Sequence, residues 1–314
     1  MPPHRIVTLL PSATEIVCAL GFEHLLVGRS HECDYPPSVT KLPALTAPTF
    51  NVEGTSAEID ERVRDIVTRA LSVYRVDAAM LAELRPDVIV TQSQCDVCAV
   101  SMSEVEAAVS RWTGARPTIV SLAPYRLGDV WKDIETVAIA LGTTERGVEL
   151  AERLKERCAA IERRATALAT RPSVACIEWI EPLMGAGNWM PELVEMAGAA
   201  NVFGLTGERS PYIAFEDLVR RDPDIVMLAP CGFAVERTMK ELAPLERKPE
   251  WRAMKAVREA RVFVADGNQY FNRSGPRLVE SLEILAEIVH PETFRFGHEA
   301  SAWRRLYARA DGPA

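Results

Sequence analysis

No stretch of this chain approaches the ~20 consecutive apolar residues that a membrane-spanning helix needs. The first residues, MPPHRIVTLLPSATEI, lack the sustained apolar run and small-residue cleavage site of a secretory signal, and a strand pattern begins almost at once. The expected location is therefore cytoplasmic, or periplasmic or lipid-anchored if a leader precedes the residues given. Nucleotide-cradling motifs are missing: there is no P-loop and no G-x-G-x-x-G. Ser12 stands at a strand-to-helix turn without the G-x-S-x-G elbow of a hydrolase nucleophile. Histidine is scarce, with 5 in 314 residues, and a net charge of −8 argues against nucleic acid as partner. The 7 cysteines are odd in number, which with no signal segment argues against a disulfide framework. The C-x-x-C of Cys95 and Cys98 has no second close pair to complete a structural zinc site.

What is present is an α/β grammar repeated twice. Arg5–Leu10 reads as a buried strand, Ser12 to Glu15 as a capping box opening a helix that Gly21 stops, and Leu25–Ser30 as a second strand. A polar stretch follows that should wander over the surface. A helix near Asp77–Leu84, a strand at Asp87–Thr91, a helix from about Ser103 to Trp112 and a strand at Pro117–Leu122 complete the first series. The middle is helical: Leu127–Leu141, then a helix from Glu145 to about Ala169. At 1.5 Å per residue this second helix would be about 37 Å long, and without heptads it reads as a rigid strut.

The grammar then restarts. Strands are expected at Ser173–Trp179, Asp224–Leu228 and Arg261–Asp266, and helices at Met190–Ala197, Asp217–Arg221, Glu250–Val257 and Gly275–Val289, with a surface appendage from His290. Leu81-to-Val90 and Leu218-to-Met227 match as a short repeat that sets Gln94 against Cys231. The expected organisation is an N-terminal lobe over residues 1–125, linking helices over 126–171 and a C-terminal lobe over 172–314.

Unusual residues gather just after the strands. The segments DVIVTQSQCDVCA, VACIEWIEP and DIVMLAPCGF each run from a buried strand into a loop bearing cysteine or a Glu-Trp pair. Ligands of open α/β sheets bind beyond the carboxyl ends of the strands. Cys18, Cys158 and Cys176 fall within elements and read as packed thiols, whereas Cys33, Cys95, Cys98 and Cys231 fall in loops.

The segments LLPSATEIVCALG, LVGRSHECDYP, TQSQCDVCAVS, EWIEPLMGAGNWMPELVEMAG, LAPCGF and DGNQYFNRSGPRLVESLEILA together resemble the helical-backbone (class III) substrate-binding proteins of ABC transporters, and in particular their cobalamin (vitamin B12)-binding branch. The resemblance spans about residues 5–291. It implies an α/β fold of two lobes, each around a mostly parallel sheet, joined by one long helix with a ligand clamped between. It implies a non-enzymatic binding role, cobalamin or another corrinoid or metal chelate as the bound small molecule, and an ABC permease as partner if the chain is exported.

A cleft for a large flat ring with an amide rim needs aromatic faces and hydrogen-bonding side chains. On that reading the ligand-binding candidates are Tyr35, Gln94, Glu178, Trp179, Gly187, Asn188, Trp189, Asn268, Tyr270 and Phe271. Gln92 and Gly185 are secondary candidates. Each aromatic could instead roof its own lobe, each glycine serve a plain turn and each amide satisfy its own loop. In the two-lobe arrangement His31, Cys33, Cys95, Cys98 and Cys231 face one cleft, and could hold zinc, iron, an iron–sulfur cluster or the cobalt of a corrinoid. An intracellular metalloprotein or redox enzyme is thus the alternative of a different class, and a transport receptor lacking its leader a third. Arg273 and Arg277 are expected to brace the C-terminal lobe.

Overall fold

The computed structural model describes residues 5–69, 71–94, 102–109 and 116–308. The N-terminal lobe comprises β1 (Ile6–Thr8), α1 (Pro11–Ala19), β2 (Leu26–Arg29), β3 (Thr46–Pro48), α2 (Ser56–Thr68), β4 (Tyr74–Val76), α3 (Ala78–Leu84), β5 (Val88–Gln92), α4 (Met102–Val109) and β6 (Thr118–Leu122). Two helices link the lobes, α5 (Leu127–Ala140) and α6 (Thr144–Thr166). The C-terminal lobe comprises β7 (Ser173–Trp179), β8 (Met184–Gly185), α7 (Met190–Met196), β9 (Ala200–Asn201), α8 (Phe215–Arg221), β10 (Ile225–Leu228), α9 (Val235–Lys240), α10 (Ala243–Glu246), α11 (Pro249–Ala253), α12 (Lys255–Arg258), β11 (Val262–Ala265), α13 (Leu278–Val289) and β12 (Trp303–Arg305).

The first sheet has the order β2-β1-β5-β6 and is parallel throughout. The second has the order β12-β11-β10-β7-β8, with β9 also on β7; its β7, β10 and β11 are parallel, and β8 and β12 antiparallel. The central strands Val88–Gln92 and Ile225–Leu228 are buried at every position, as strands covered on both faces must be. The two-lobed α/β expectation holds.

The short sequence repeat is a real structural one. Both α3 and α8 end on a left-handed residue, Arg85 (φ 43°) and Asp222 (φ 40°). A proline and an aspartate follow each. Asp87 Oδ2 accepts from the Arg5 amide at 3.0 Å and Asp224 Oδ2 from the Ser173 amide at 2.8 Å. In each lobe the aspartate thus ties the incoming strand to the edge of its neighbour.

The long helix α6 runs 23 residues, and its buried side (Leu150, Leu154, Cys158, Ile161, Ala165) joins a core cluster that spans both lobes. Gly147 lets α6 meet α5: a Cβ there would lie 2.3 Å from that of Ala138.

Three expectations are corrected. Helix α1 is capped by no side chain; it starts on Pro11, and Glu15 is buried at 4% exposure, turned away from the helix end. Thr55 and Glu58 do form a capping box, at the start of α2, inside the stretch expected to be irregular. The segment after His290 is no appendage: β12 closes the sheet edge against β11, and Trp303, 4% exposed, donates to Glu287 at 2.9 Å. The expected helix to Trp112 is described only as far as Val109.

Candidate functional site

The carboxyl ends of the two sheets face each other, and polar loops from opposite lobes meet there. After β2, Asp34 Oδ2 accepts from Asn268 at 3.0 Å and Gln269 at 2.8 Å, both in the loop after β11. After β5, Gln94 Nε2 donates to Asn188 Oδ1 at 3.3 Å. At the end of β7, the indole of Trp179 donates to the Ser56 carbonyl at 3.2 Å.

The base of this cleft carries a buried ionic cluster. Glu15, from α1, takes Arg277 at 2.6 and 3.0 Å and Arg273 at 3.2 Å. Arg273 also donates to Asp34 at 2.7 Å. Side chains of Glu15 and Arg273 are 3% and 6% exposed, so little water is available to replace these partners. Burial alone would raise the Asp34 carboxyl, but hydrogen bonds from Arg273, Asn268 and Gln269 outweigh it and hold the group below the usual range. Arg277 lies 3.8 Å from the centre of the Tyr35 ring and 5.2 Å from that of Tyr270. The expectation that Arg273 and Arg277 brace one lobe is corrected: they tie the two lobes together.

Glu178 is the second unusual acid. It is half-buried at the end of β7, where its Oε2 accepts from the Ser210 hydroxyl at 2.8 Å and the Gly187 amide also donates to the carboxylate. Burial pushes the carboxyl up to about 7, against those hydrogen bonds, because no cation is among its partners.

The remaining candidates divide. Tyr35 is 42% exposed, and Tyr270, Asn188 and Asn268 are half-buried at the cleft. Trp179 is half-buried and packs at 5.1 Å on Phe233. Trp189 and Phe271 are corrected from ring-stacking faces to core. They are 6% and 2% exposed, and the Trp189 indole donates to the Phe271 carbonyl at 2.8 Å. Gln92 is buried inside β5.

Gly187 is small for a neighbouring loop rather than for a ligand: a Cβ there would stand 2.5 Å from the Glu208 carbonyl oxygen and 2.7 Å from the Ser210 nitrogen. Gly187→Ala should therefore displace residues 208–210 and cost about 1–3 kcal/mol in urea unfolding. An unchanged unfolding midpoint would show that this loop has room to yield.

The three expected metal ligands that lie among the described residues, His31, Cys33 and Cys231, do not come together. Cys33 is 1% exposed, its sulfur takes the Thr14 hydroxyl at 3.0 Å, and burial pushes the thiol up to about 11, so it is a core thiol and not a thiolate. His31 Nδ1 bonds Thr46 at 2.7 Å, Cys231 lies exposed on the rim, and Cys95 and Cys98 fall outside the described residues. Among the described residues no three of His, Cys, Asp and Glu come together as metal ligands.

Sequence reasoning missed Glu15, Gln269, Ser210 and Ser56 as cleft residues. Nothing local marks them, because each acts through a partner at least 32 positions away.

Comparison with known proteins places this geometry. A 25% identical relative is an uncharacterised ABC transporter substrate-binding lipoprotein of Bacillus subtilis, YvrC, matched over 93% of this chain and 82% of the relative. The vitamin B12-binding protein of Vibrio cholerae is 22% identical over 90% of this chain and 87% of its own. Among solved structures, the periplasmic heme-binding protein RhuT from Roseiflexus sp. RS-1 superposes with a TM-score of 0.68 at 21% identity, covering 92% of this chain and 99% of that one. The periplasmic vitamin B12 binding protein BtuF of Vibrio cholerae gives 0.64 at 19% identity, covering 92% and 97%. The model of the periplasmic binding protein family matches residues 6–268, and the chain belongs to that family.

Proposed function

We propose that this protein is the substrate-binding component of an ABC-type transporter and that its cleft takes cobalamin or a closely related corrinoid. The family consists of solute-binding proteins, and relatives are named for vitamin B12 and for heme.

The observation that favours the corrinoid is the charge state of the cleft base. Arg273 and Arg277 are already matched by Glu15 and Asp34. Glu32 and Glu178, both pushed up by burial, add carboxyls and no cation at the same mouth. A heme brings two carboxylates, which would have to break that cluster or do without it, at the cost of unpaired buried charge. A corrinoid brings a neutral amide rim. Gln94, Asn188, Asn268 and Gln269, now bonded across the cleft, present the complementary donors and acceptors. Tyr35, Trp179 and Tyr270 supply apolar faces for the ring. Direct coordination of the cobalt would fall to His31, whose ring is half-buried at the mouth and held neutral by burial and by Arg29.

Titration with hydroxocobalamin, followed by its visible spectrum and by calorimetry, should give a saturable one-to-one complex, and hemin should compete poorly. Tight hemin binding with no retention of the corrinoid would overturn the assignment. Binding of neither, with stoichiometric zinc or iron in the purified protein lost on Cys95→Ser, would favour the metalloprotein instead.

A further inference from the structure

The segment between β3 and β4 leaves its lobe and rests on the other one. The two short strands pair as an isolated antiparallel ribbon, and α2 with the loop before it is the excursion they carry. Helix α2 has little of its own lobe to bury against: of its 13 residues Ser56 alone is buried, at 1% exposure, and what covers Ser56 comes from the C-terminal lobe.

Five residue pairs hold it there. The Ser56 amide donates to Glu241 at 2.9 Å, and its carbonyl accepts from Trp179 at 3.2 Å. Arg237 donates to the Gly54 carbonyl at 2.7 Å while lying 4.3 Å from the centre of the Phe233 ring. About two turns further along α2, Arg64 lies 5.1 Å from the centre of the Tyr212 ring, and Tyr212 hydrogen-bonds Arg64 and Asp60.

Trp179 lies on the C-terminal side of the cleft, packed on the buried Phe233; Ser56 bonds the Trp179 indole directly, and Gly54 is held by the Arg237 that lies over the Phe233 ring. The polar groups of Glu241 and Arg237 that receive the arm are groups that water would otherwise satisfy. Lifting the arm therefore loses a few hydrogen bonds and opens no large core. Gly54, at φ 121° in the loop before α2, supplies a backbone conformation that only glycine adopts freely, at the point where the chain turns toward the opposite lobe.

We infer that the α2 arm is a cover: it rests on Trp179 of the opposite lobe, and a ligand entering the cleft displaces it. This rests on the proposed ligand-binding cleft but not on which ring fills it. The cover makes ligand-free protein a population that must open before binding, so its contacts lower the apparent affinity and set the rate of entry.

Hydrogen exchange followed by mass spectrometry tests this on the intact chain. In ligand-free protein, peptides over residues 54–60 should exchange about tenfold faster in an Arg237→Ala/Glu241→Ala variant than in the wild type, with α6 unchanged as the control for folding. Equal rates would overturn the cover whatever the ligand. Adding hydroxocobalamin to the wild type should speed exchange over residues 54–60 while slowing it in the loops after β7 and β11. Slower exchange over residues 54–60 would overturn the cover, because the arm would then close on the ligand instead of yielding to it. If hydroxocobalamin alters no cleft segment, the corrinoid assignment fails, while the variant comparison still decides whether the arm is clasped.

Discussion

Glu15→Ala should destabilise this protein by about 3–5 kcal/mol, the largest loss expected from any single polar substitution in it. Glu15 is the shared acceptor of Arg273 and Arg277, and its side chain is 3% exposed. Removing it leaves two guanidiniums facing each other across a space water barely enters. Arg273 keeps Asp34 and Asn268, but Arg277 keeps the Gln269 side-chain Oε1 and two aromatic faces. Burying an ion pair brings little net stability, but stripping one partner from it is costly because the remaining charge cannot be rehydrated. Urea unfolding at neutral pH would measure the loss. Glu15→Gln should lose less, since an amide oxygen in the Oε1 position still accepts two of the three bonds. A loss below about 1 kcal/mol for Glu15→Ala would mean that the lobes part locally and admit water. The cluster joins the lobes beside α6, so the same variant should also lower ligand affinity by loosening the cleft base.

The second large effect depends on pH. In an unfolded chain Glu178 ionises near its ordinary value of 4.5, whereas in the folded protein burial holds its proton until about pH 7. Between those limits the folded state binds more protons than the unfolded one, so stability falls as pH rises through that window. Below it both states are protonated and the full benefit is present; above it both are ionised and the full cost applies. At about 1.4 kcal/mol for each tenfold change in proton affinity, the cost above pH 7 approaches roughly 3 kcal/mol, somewhat less because the group keeps some contact with solvent. Glu178→Gln should remove this slope and be more stable than the wild type at pH 8. Denaturant midpoints at pH 5 and pH 8 for both proteins would check it; parallel profiles would mean that Glu178 is ionised throughout. A ligand amide that needs a charged acceptor here would bind more weakly below pH 7, which links affinity to acidity through the same residue.

Much of the architecture is legible in the residues. The buried strand runs Val88–Gln92 and Ile225–Leu228, the strut of α6 and the Pro-Asp repeat before β5 and β10 are local signals, and local signals survive reading in one dimension. The exceptions are instructive. Ser12 to Glu15 has the pattern of a capping box, but Glu15 has two arginines from the other lobe within reach and Pro11 starts the helix instead. The box at Thr55 and Glu58 opens a helix whose apolar side is thin, because α2 leans on another lobe and not on a core of its own.

The site is split along the same line. That polar and aromatic loops follow the strands was determined by the sequence alone, since strand ends and turn residues are set by neighbours in the chain. Which of those side chains reach the cleft was decided only by tertiary structure. Trp189 and Phe271 lie beyond strand ends much as Trp179 lies at one, yet both turn inward, where the Trp189 indole finds the Phe271 carbonyl. Cys33 follows its strand like Cys231 does, yet one sulfur lies under α1 and the other faces solvent. A side chain's chemistry is written in the sequence, but its burial, its partner and therefore its charge depend on residues up to 262 positions away. Only packing brings those together.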